Sequence, residues 1–259
     1  MRPRRHRREL PGGARGVLTP PLPSAEAGYL EELAARLPGM RGVLLVGSAA
    51  LGDYVPGVSD LDVVVVAPGP VEDPEALAAP LRHAELPCPA RKLELVVYLA
   101  EQAAAPTREL EFELDLNTGP ETDRLLTGLG REPAHWYLID LAIGREHGVA
   151  LSGPPPRELI GEPPREDVLS ALAAGIRSAL DEEPESPSTV LNACRAARYA
   201  LHGDWTSKAA AGDWAVHTGS DPRLAQDALA ARAGEPRELR ADRVALLAEE
   251  ALGVVEGAR

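Results

Sequence analysis

Residues 47–62 hold the side chains of this sequence best suited to chemistry. Gly47-Ser48 is followed, after a gap, by Ser59-Asp60-Leu61-Asp62, which runs into four valines, Val63 to Val66. On an extended strand successive side chains alternate between faces, so Asp60 and Asp62 share one face while Leu61, Val63 and Val65 share the other. Two carboxylates side by side on an otherwise apolar strand repel each other, and a divalent cation removes that penalty. Hard oxygen ligands of this kind favour Mg²⁺. Residues 92–98 repeat the arrangement, with Glu94 sharing a face with Lys92, Val96 and Tyr98 while Leu93, Leu95 and Val97 point away. If these two strands are neighbours, Asp60, Asp62 and Glu94 converge and can hold one or two Mg²⁺ ions. Such a cluster polarises an α-phosphate, neutralises departing pyrophosphate and leaves one carboxylate to accept the proton of an attacking hydroxyl. Gly47-Ser48, closing the apolar run 42–46, offers a close backbone approach and a hydroxyl to triphosphate oxygens. An Asp-x-Asp alone is common at solvated strand ends, so it is the combination that points to a metal site. The chain has no Gly-x-x-x-x-Gly-Lys, Gly-x-Gly-x-x-Gly or His-Glu-x-x-His motif.

These residues need a scaffold, and the apolar periodicity supplies one. Tyr29, Leu30, Leu33 and Leu37 fall at helical spacing within 26–37, stopped by Pro38-Gly39. Short apolar runs at 42–46, 60–66, 92–98 and 109–116 read as strands, with a helix at 74–81 between the second and third. Beyond Pro133 the pattern changes to long Ala- and Leu-rich segments, predicting helices over 135–146, 167–180, 189–201, 208–215, 222–232 and 239–254. The break is expected within 152–164, where Pro154-Pro155-Pro156 and Pro163-Pro164 interrupt any regular element. The expected fold class is α+β: a small mixed sheet domain over 24–157, then an all-α helical bundle over 158–259, after a disordered basic tail over 1–23.

Composition narrows the partners. With 27 basic and 40 acidic side chains the 259 residues carry a net charge of −13. Six of the basic groups, Arg2, Arg4, Arg5, Arg7, Arg8 and Arg15, lie in the first fifteen residues, and the remainder has a net charge of −18. Such a body repels a nucleic-acid backbone and attracts cations, so a small cationic substrate is expected and a nucleic acid is not. No apolar run approaches the ~20 residues that span a membrane. The Arg-rich start lacks the apolar region of a signal peptide. Cys88 and Cys194 are too few for a disulfide framework or a zinc site and are expected as buried thiols in a cytoplasmic protein, taken as a monomer.

The Gly-Ser and Asp-x-Asp pair resembles the signature of the DNA polymerase β nucleotidyltransferase superfamily. The resemblance continues through Leu93-Glu94-Leu95, the stretch from Asp140-Leu141-Ala142-Ile143 to Arg145-Glu146-His147, and Val149-Ala150-Leu151-Ser152-Gly153-Pro154. It goes on through Leu191-Asn192-Ala193-Cys194-Arg195, Ser207-Lys208 and Ala211-Gly212-Asp213-Trp214-Ala215. Over roughly 28–217 the chain is similar to the aminoglycoside (3'')(9) adenylyltransferases that inactivate streptomycin and spectinomycin.

That resemblance implies a polymerase β-type nucleotidyltransferase domain followed by a helical domain that closes over nucleotide and drug. It implies ATP as co-substrate, Mg²⁺ on Asp60, Asp62 and Glu94, and Glu94 as general base. It also implies a nucleotide site built from Gly47, Ser48, Ser59, Arg195 and Lys208, because a triphosphate needs cations to offset charge that metals leave uncovered. The plainer alternative for Arg195 and Lys208 is that they are solvated helix residues, and His147 and Trp214 read as helix packing. Asp181 and Glu185, in the acidic loop before Arg195, are expected to meet drug amines, against a solvated inter-helix loop as the plainer reading. Streptomycin-active members carry tryptophans where this chain has Leu114-Asp115-Leu116 and residues 176–180, so spectinomycin or another compact cationic acceptor is expected in preference. The alternatives are transfer to another small molecule or to a protein, or ATP sensing without turnover.

Overall fold

The computed structural model describes residues 22–128 and 134–259. The expected basic tail therefore lies almost entirely outside the described residues. The elements run α1 (Ser24–Ala35), β1 (Gly42–Leu45), α2 (Gly47–Ala50), β2 (Leu61–Ala67), α3 (Pro74–Ala78), β3 (Leu93–Leu99), α4 (Ala100–Ala104), β4 (Leu114–Gly119) and β5 (Thr122–Leu126). They continue with α5 (Ala134–His147), β6 (Val149–Ser152), α6 (Pro156–Leu159), α7 (Arg165–Glu182), α8 (Pro187–His202), α9 (Lys208–Thr218), α10 (Pro222–Arg232) and α11 (Ala241–Gly257). The fold is α+β, a six-stranded sheet followed by a helical half.

The sheet has the order β5-β4-β3-β2-β1-β6 and is mixed. Its central pair, β2 and β3, is parallel, and its other pairings are antiparallel. The alternation expected from sequence sorts the strand residues onto two apolar layers. Leu61, Val63 and Val65 of β2 and Leu93, Leu95 and Val97 of β3 pack with Tyr29, Leu30 and Leu33 of α1. On the opposite face Val64, Val66 and Tyr98 pack with Phe112 and with Tyr137 and Leu141 of α5. Covering both faces fixes the strand register, because a slip by one residue would exchange the two layers.

Sequence periodicity misplaced one strand. Residues 109–113 alternate Leu110 and Phe112 with glutamates, which imitates a strand, but regular pairing begins only at Leu114 and runs on through Asp115, Asn117 and Thr118. Those polar residues are buried and hydrogen-bonded: Asn117 Nδ2 donates to Asp115 Oδ1, and Thr118 Oγ1 accepts the His83 N–H. The short strands β5 and β6 add to opposite edges of the sheet and had no apolar run long enough to announce them.

In the helical half α8 packs against α7, α9, α10 and α11. Ser186 caps α8 by accepting the Ser188 N–H at 3.2 Å, Pro187 occupies its first turn, and Gly203 ends it in the left-handed region at φ +78°. Ser207 caps α9 by accepting the Ala210 N–H at 3.1 Å. The core is largely Ala, Leu and Val, with Tyr199 stacked on buried Trp205. Small residues let the helices approach: a Cβ at Gly212 of α9 would stand 2.7 Å from Leu191 Cδ2 and 2.8 Å from Leu229 Cδ2. Helix α5 belongs to both cores, with Tyr137 and Leu141 facing the sheet and Leu138, Ile139 and Ala142 facing α7. It is the beam that holds the two halves in register. Among the described residues no helix is long and apolar enough to cross a membrane, and Cys88 and Cys194 are both buried free thiols.

Candidate active site

A cleft of about 640 Å³ lies between the sheet and the helical half, within the size range of ligand sites. Its floor is the start of the parallel pair. Asp62 of β2 stands opposite Glu94 of β3 in register, and both are on the face that carries Val64, Val66 and Tyr98 deeper in. Helix α5 covers that deeper part and leaves the carboxylate end open. Asp60, one residue before β2, also lines the cleft, but its carboxylate is engaged by Arg91 through Nε at 2.8 Å and Nη2 at 2.5 Å. Glu94 is ion-paired with Lys92, whose Nζ also donates to Asn117 Oδ1 at 3.1 Å. Burial, followed by the neighbouring charge of Glu94, holds the Asp62 carboxyl well above the ordinary carboxylate range.

The expectation that three carboxylates converge is met in part. Among the described residues no three acidic, His or Cys side chains already form a closed metal cage, because Asp60 is turned onto Arg91. The donor set nevertheless suits a hard divalent cation. Asp62 and Glu94 share one open face, and the strain of two adjacent carboxylates is what a cation relieves. The turn before them is shaped for that carboxylate as well. Gly47 sits at φ +62°, and a Cβ there would lie 1.8 Å from Asp62 Oδ2. Only glycine combines that backbone with that neighbour.

The remaining sequence-predicted residues divide into two groups. Gly47, Ser48, Ser59, Arg195 and Lys208 all border the cleft. Ser59 is buried and its Oγ accepts the Val55 N–H at 3.0 Å, so it fastens the loop between α2 and β2. Arg195, on α8, donates through Nη2 to Asn192 Oδ1 at 3.1 Å and keeps a buried Nε without a partner. Burial, then the charges of Arg195 and Arg232, lowers the Lys208 ammonium to about 8. The Arg195 and Lys208 cations thus border the same cleft as the Asp62 and Glu94 carboxylates. In the acidic loop, however, it is Glu182 that lines the cleft, whereas Asp181 and Glu185 are exposed and outside it.

Three further cleft residues, Trp136, Asp140 and Arg232, had been given no role by sequence reasoning. Trp136 and Asp140 lie one turn apart on the same face of α5 and both border the cleft. The Trp136 ring rests over Gly175 of α7, where an added Cβ would be 3.4 Å from its edge. Asp140 opens into the cleft, and its carboxyl is raised to about 7 by the surrounding protein and then by Glu94. Arg232, at the end of α10, is the third. A tryptophan near a helix start and an arginine near a helix end carry no local sign of function.

Carboxylates on a mixed sheet across a cleft from cations on a helical half suit a nucleotidyltransferase. The nucleotidyltransferase domain family matches residues 28–116 and the aminoglycoside adenylyltransferase C-terminal domain matches residues 158–252. The chain thus belongs to the aminoglycoside adenylyltransferase family and is an adenylyltransferase enzyme. Its fold is similar to the crystal structure of spectinomycin adenyltransferase AAD(9) from Enterococcus faecialis with ATP and spectinomycin. The two share 17% identity at a TM-score of 0.68, covering 89% of this chain and 98% of that one. No curated protein sequence matches the chain significantly.

Proposed function

We propose that this enzyme transfers AMP from ATP to a hydroxyl of a small cationic aminocyclitol or aminoglycoside, and that it does so with Mg²⁺ held by Asp62, Glu94 and a released Asp60. The observation that carries this reading is the facing of Asp62 and Glu94 across one strand pair, beneath Arg195 and Lys208. Bound Mg²⁺ would supply Lewis-acid polarisation of the α-phosphate and neutralisation of the leaving pyrophosphate. Lys208 and Arg195 hold the β- and γ-phosphates from the helical side. Ser48 offers its hydroxyl, and Gly47 a bare backbone, to the same phosphates. Glu94 accepts the proton from the acceptor hydroxyl as it attacks, and pyrophosphate leaves. Trp136, Asp140 and Glu182 present an aromatic face and two carboxylates to the body and amines of the acceptor. The cytoplasm, where ATP and Mg²⁺ are available, is the fitting compartment.

The test is to incubate purified protein with ATP, Mg²⁺ and a panel of aminoglycosides and aminocyclitols, measuring pyrophosphate and the mass of any product. An acceptor heavier by one AMP supports the reading. ATP binding without pyrophosphate release for any acceptor would leave a nucleotide sensor instead.

A further inference from the structure

The reading above gives no role to Asp53 and Arg232, which form a direct polar link between the two halves. Asp53 belongs to the loop after α2, and its N–H donates to the Ser48 carbonyl at 2.9 Å, so it is fixed to the turn that carries Gly47-Ser48. Its side chain reaches the other way. Asp53 Oδ2 accepts the Ala209 N–H at 3.3 Å, in the first turn of α9, and pairs with Arg232 Nη2 at 3.1 Å. The same Nη2 donates to the Asp53 carbonyl at 2.9 Å. Each of the two side chains is only 11% exposed, and Arg232 keeps a buried Nε without a partner.

Lys208 lies immediately before Ala209, between the Ser207 cap and the amide that Asp53 holds. The chain from Ser48 to Asp53 to Ala209 therefore sets the distance from the Gly47-Ser48 turn to the backbone of Lys208. A carboxylate at the first turn of an 11-residue helix is also favoured by the helix dipole. Arg232 brings a third cation to the Arg195 and Lys208 side of the cleft, and Asp53 is the anion that anchors it there.

We infer that Asp53 and Arg232 are a positioning pair that docks the first turn of α9 onto the Gly47-Ser48 turn and thereby places Lys208 for the phosphates of the nucleotide. This rests on the reading of ATP as co-substrate. The pair acts through Lys208, so its loss weakens ATP binding while the acceptor end of the cleft, around Trp136, is untouched.

Calorimetric titration of the full-length protein with ATP and Mg²⁺, without acceptor, tests this in a double-mutant cycle. Asp53→Asn keeps the shape and removes the charge. It is expected to raise the ATP Kd about tenfold, the size of one charge-assisted hydrogen bond, and to leave the acceptor KM within about twofold. In a Lys208→Ala background the same substitution is expected to add less than about twofold, because its effect passes through the missing lysine. Arg232→Gln spares the bond to Ala209 and serves if Asp53→Asn fails to fold; it is expected to raise the Kd about threefold, with the same non-additivity. An unchanged ATP Kd, or equal losses with and without Lys208, overturns the positioning role while leaving ATP as co-substrate. A wild-type protein that binds no ATP overturns both.

Discussion

Asp62 and Glu94, 32 positions apart in sequence, are register partners on the central parallel strands and meet on one face of the sheet. The repulsion between two such adjacent carboxylates is offset by a proton or a cation. In this structure Asp62 is driven toward the protonated form by burial and by Glu94, and Lys92 pairs with Glu94. A Mg²⁺ ion held there would offset the same repulsion.

Asp62→Asn is expected to lower Mg²⁺-dependent turnover by about a hundredfold or more, the usual scale for losing electrostatic stabilisation at a reacting phosphoryl group. Glu94→Gln keeps the shape and is expected to depress kcat far more than ATP affinity. Steady-state kinetics with calorimetric ATP titration separates the two, and near-normal turnover in either variant would remove that residue from the mechanism.

Gly47→Ala puts a methyl group where the Asp62 carboxylate now lies, on a backbone that disfavours side chains by roughly 1–2 kcal/mol. A lowered melting temperature and at least a tenfold loss of turnover are expected. Circular dichroism and an activity assay on one preparation check this, and full activity would mean that the turn and the carboxylate do not touch.

Lys208 is expected to make ATP binding pH-dependent. Its folded-state value, about 8, lies below the ordinary 10.5. Between those values the unfolded chain keeps a proton that the free enzyme has lost, so this group's contribution to stability rises with pH across that window, and the cost of a buried charge is present below it. ATP prefers the charged form, so ATP affinity is expected to fall as pH rises through about 8. Lys208→Arg should flatten that dependence between pH 7 and 9. A wild-type Kd constant over the same range would separate Lys208 from the phosphates. Arg195→Ala and Lys208→Ala are each expected to cost roughly 1–3 kcal/mol of ATP binding.

The acceptor end should respond to different residues. Trp136→Ala is expected to raise the acceptor KM by about five- to thirtyfold, corresponding to roughly 1–2 kcal/mol of lost aromatic contact, with ATP affinity unchanged. Glu182→Gln is expected to affect the acceptor more than Asp181→Asn or Glu185→Gln, because only Glu182 of the three borders the cleft. Spectinomycin is expected to be used in preference to streptomycin. Acceptor kinetics on the four variants and both drugs check these points together, and an unaltered acceptor KM in Trp136→Ala would place the acceptor elsewhere.

What could be read from the sequence was everything with a local period. The two-residue alternation put Asp62 and Glu94 on the polar-bearing faces of their strands, and the long Ala- and Leu-rich segments located the helices that carry Arg195 and Lys208. Short-range alternation could also mislead, as at Leu110 and Phe112, where a loop with alternate side chains buried copies a strand. The matched order of Gly47-Ser48, Asp60, Asp62, Glu94, Arg195 and Lys208 carried the family, because order along the chain is itself a sequence property.

Only the tertiary structure decided which faces meet. The parallel pairing of β2 with β3 rests on two apolar layers built from α1 and α5, and no local pattern states that Asp62 will face Glu94 rather than a neighbour. Asp60 reads as the equal of Asp62, yet Arg91, 31 positions away, draws it aside. Asp53 and Arg232 are 179 positions apart, and Trp136, whose ring lies over Gly175 of α7, borders the cleft. Side-chain period is fixed by the geometry of one strand or one helix, whereas contacts between elements are fixed by how their packed faces fit, which is a property of the whole core.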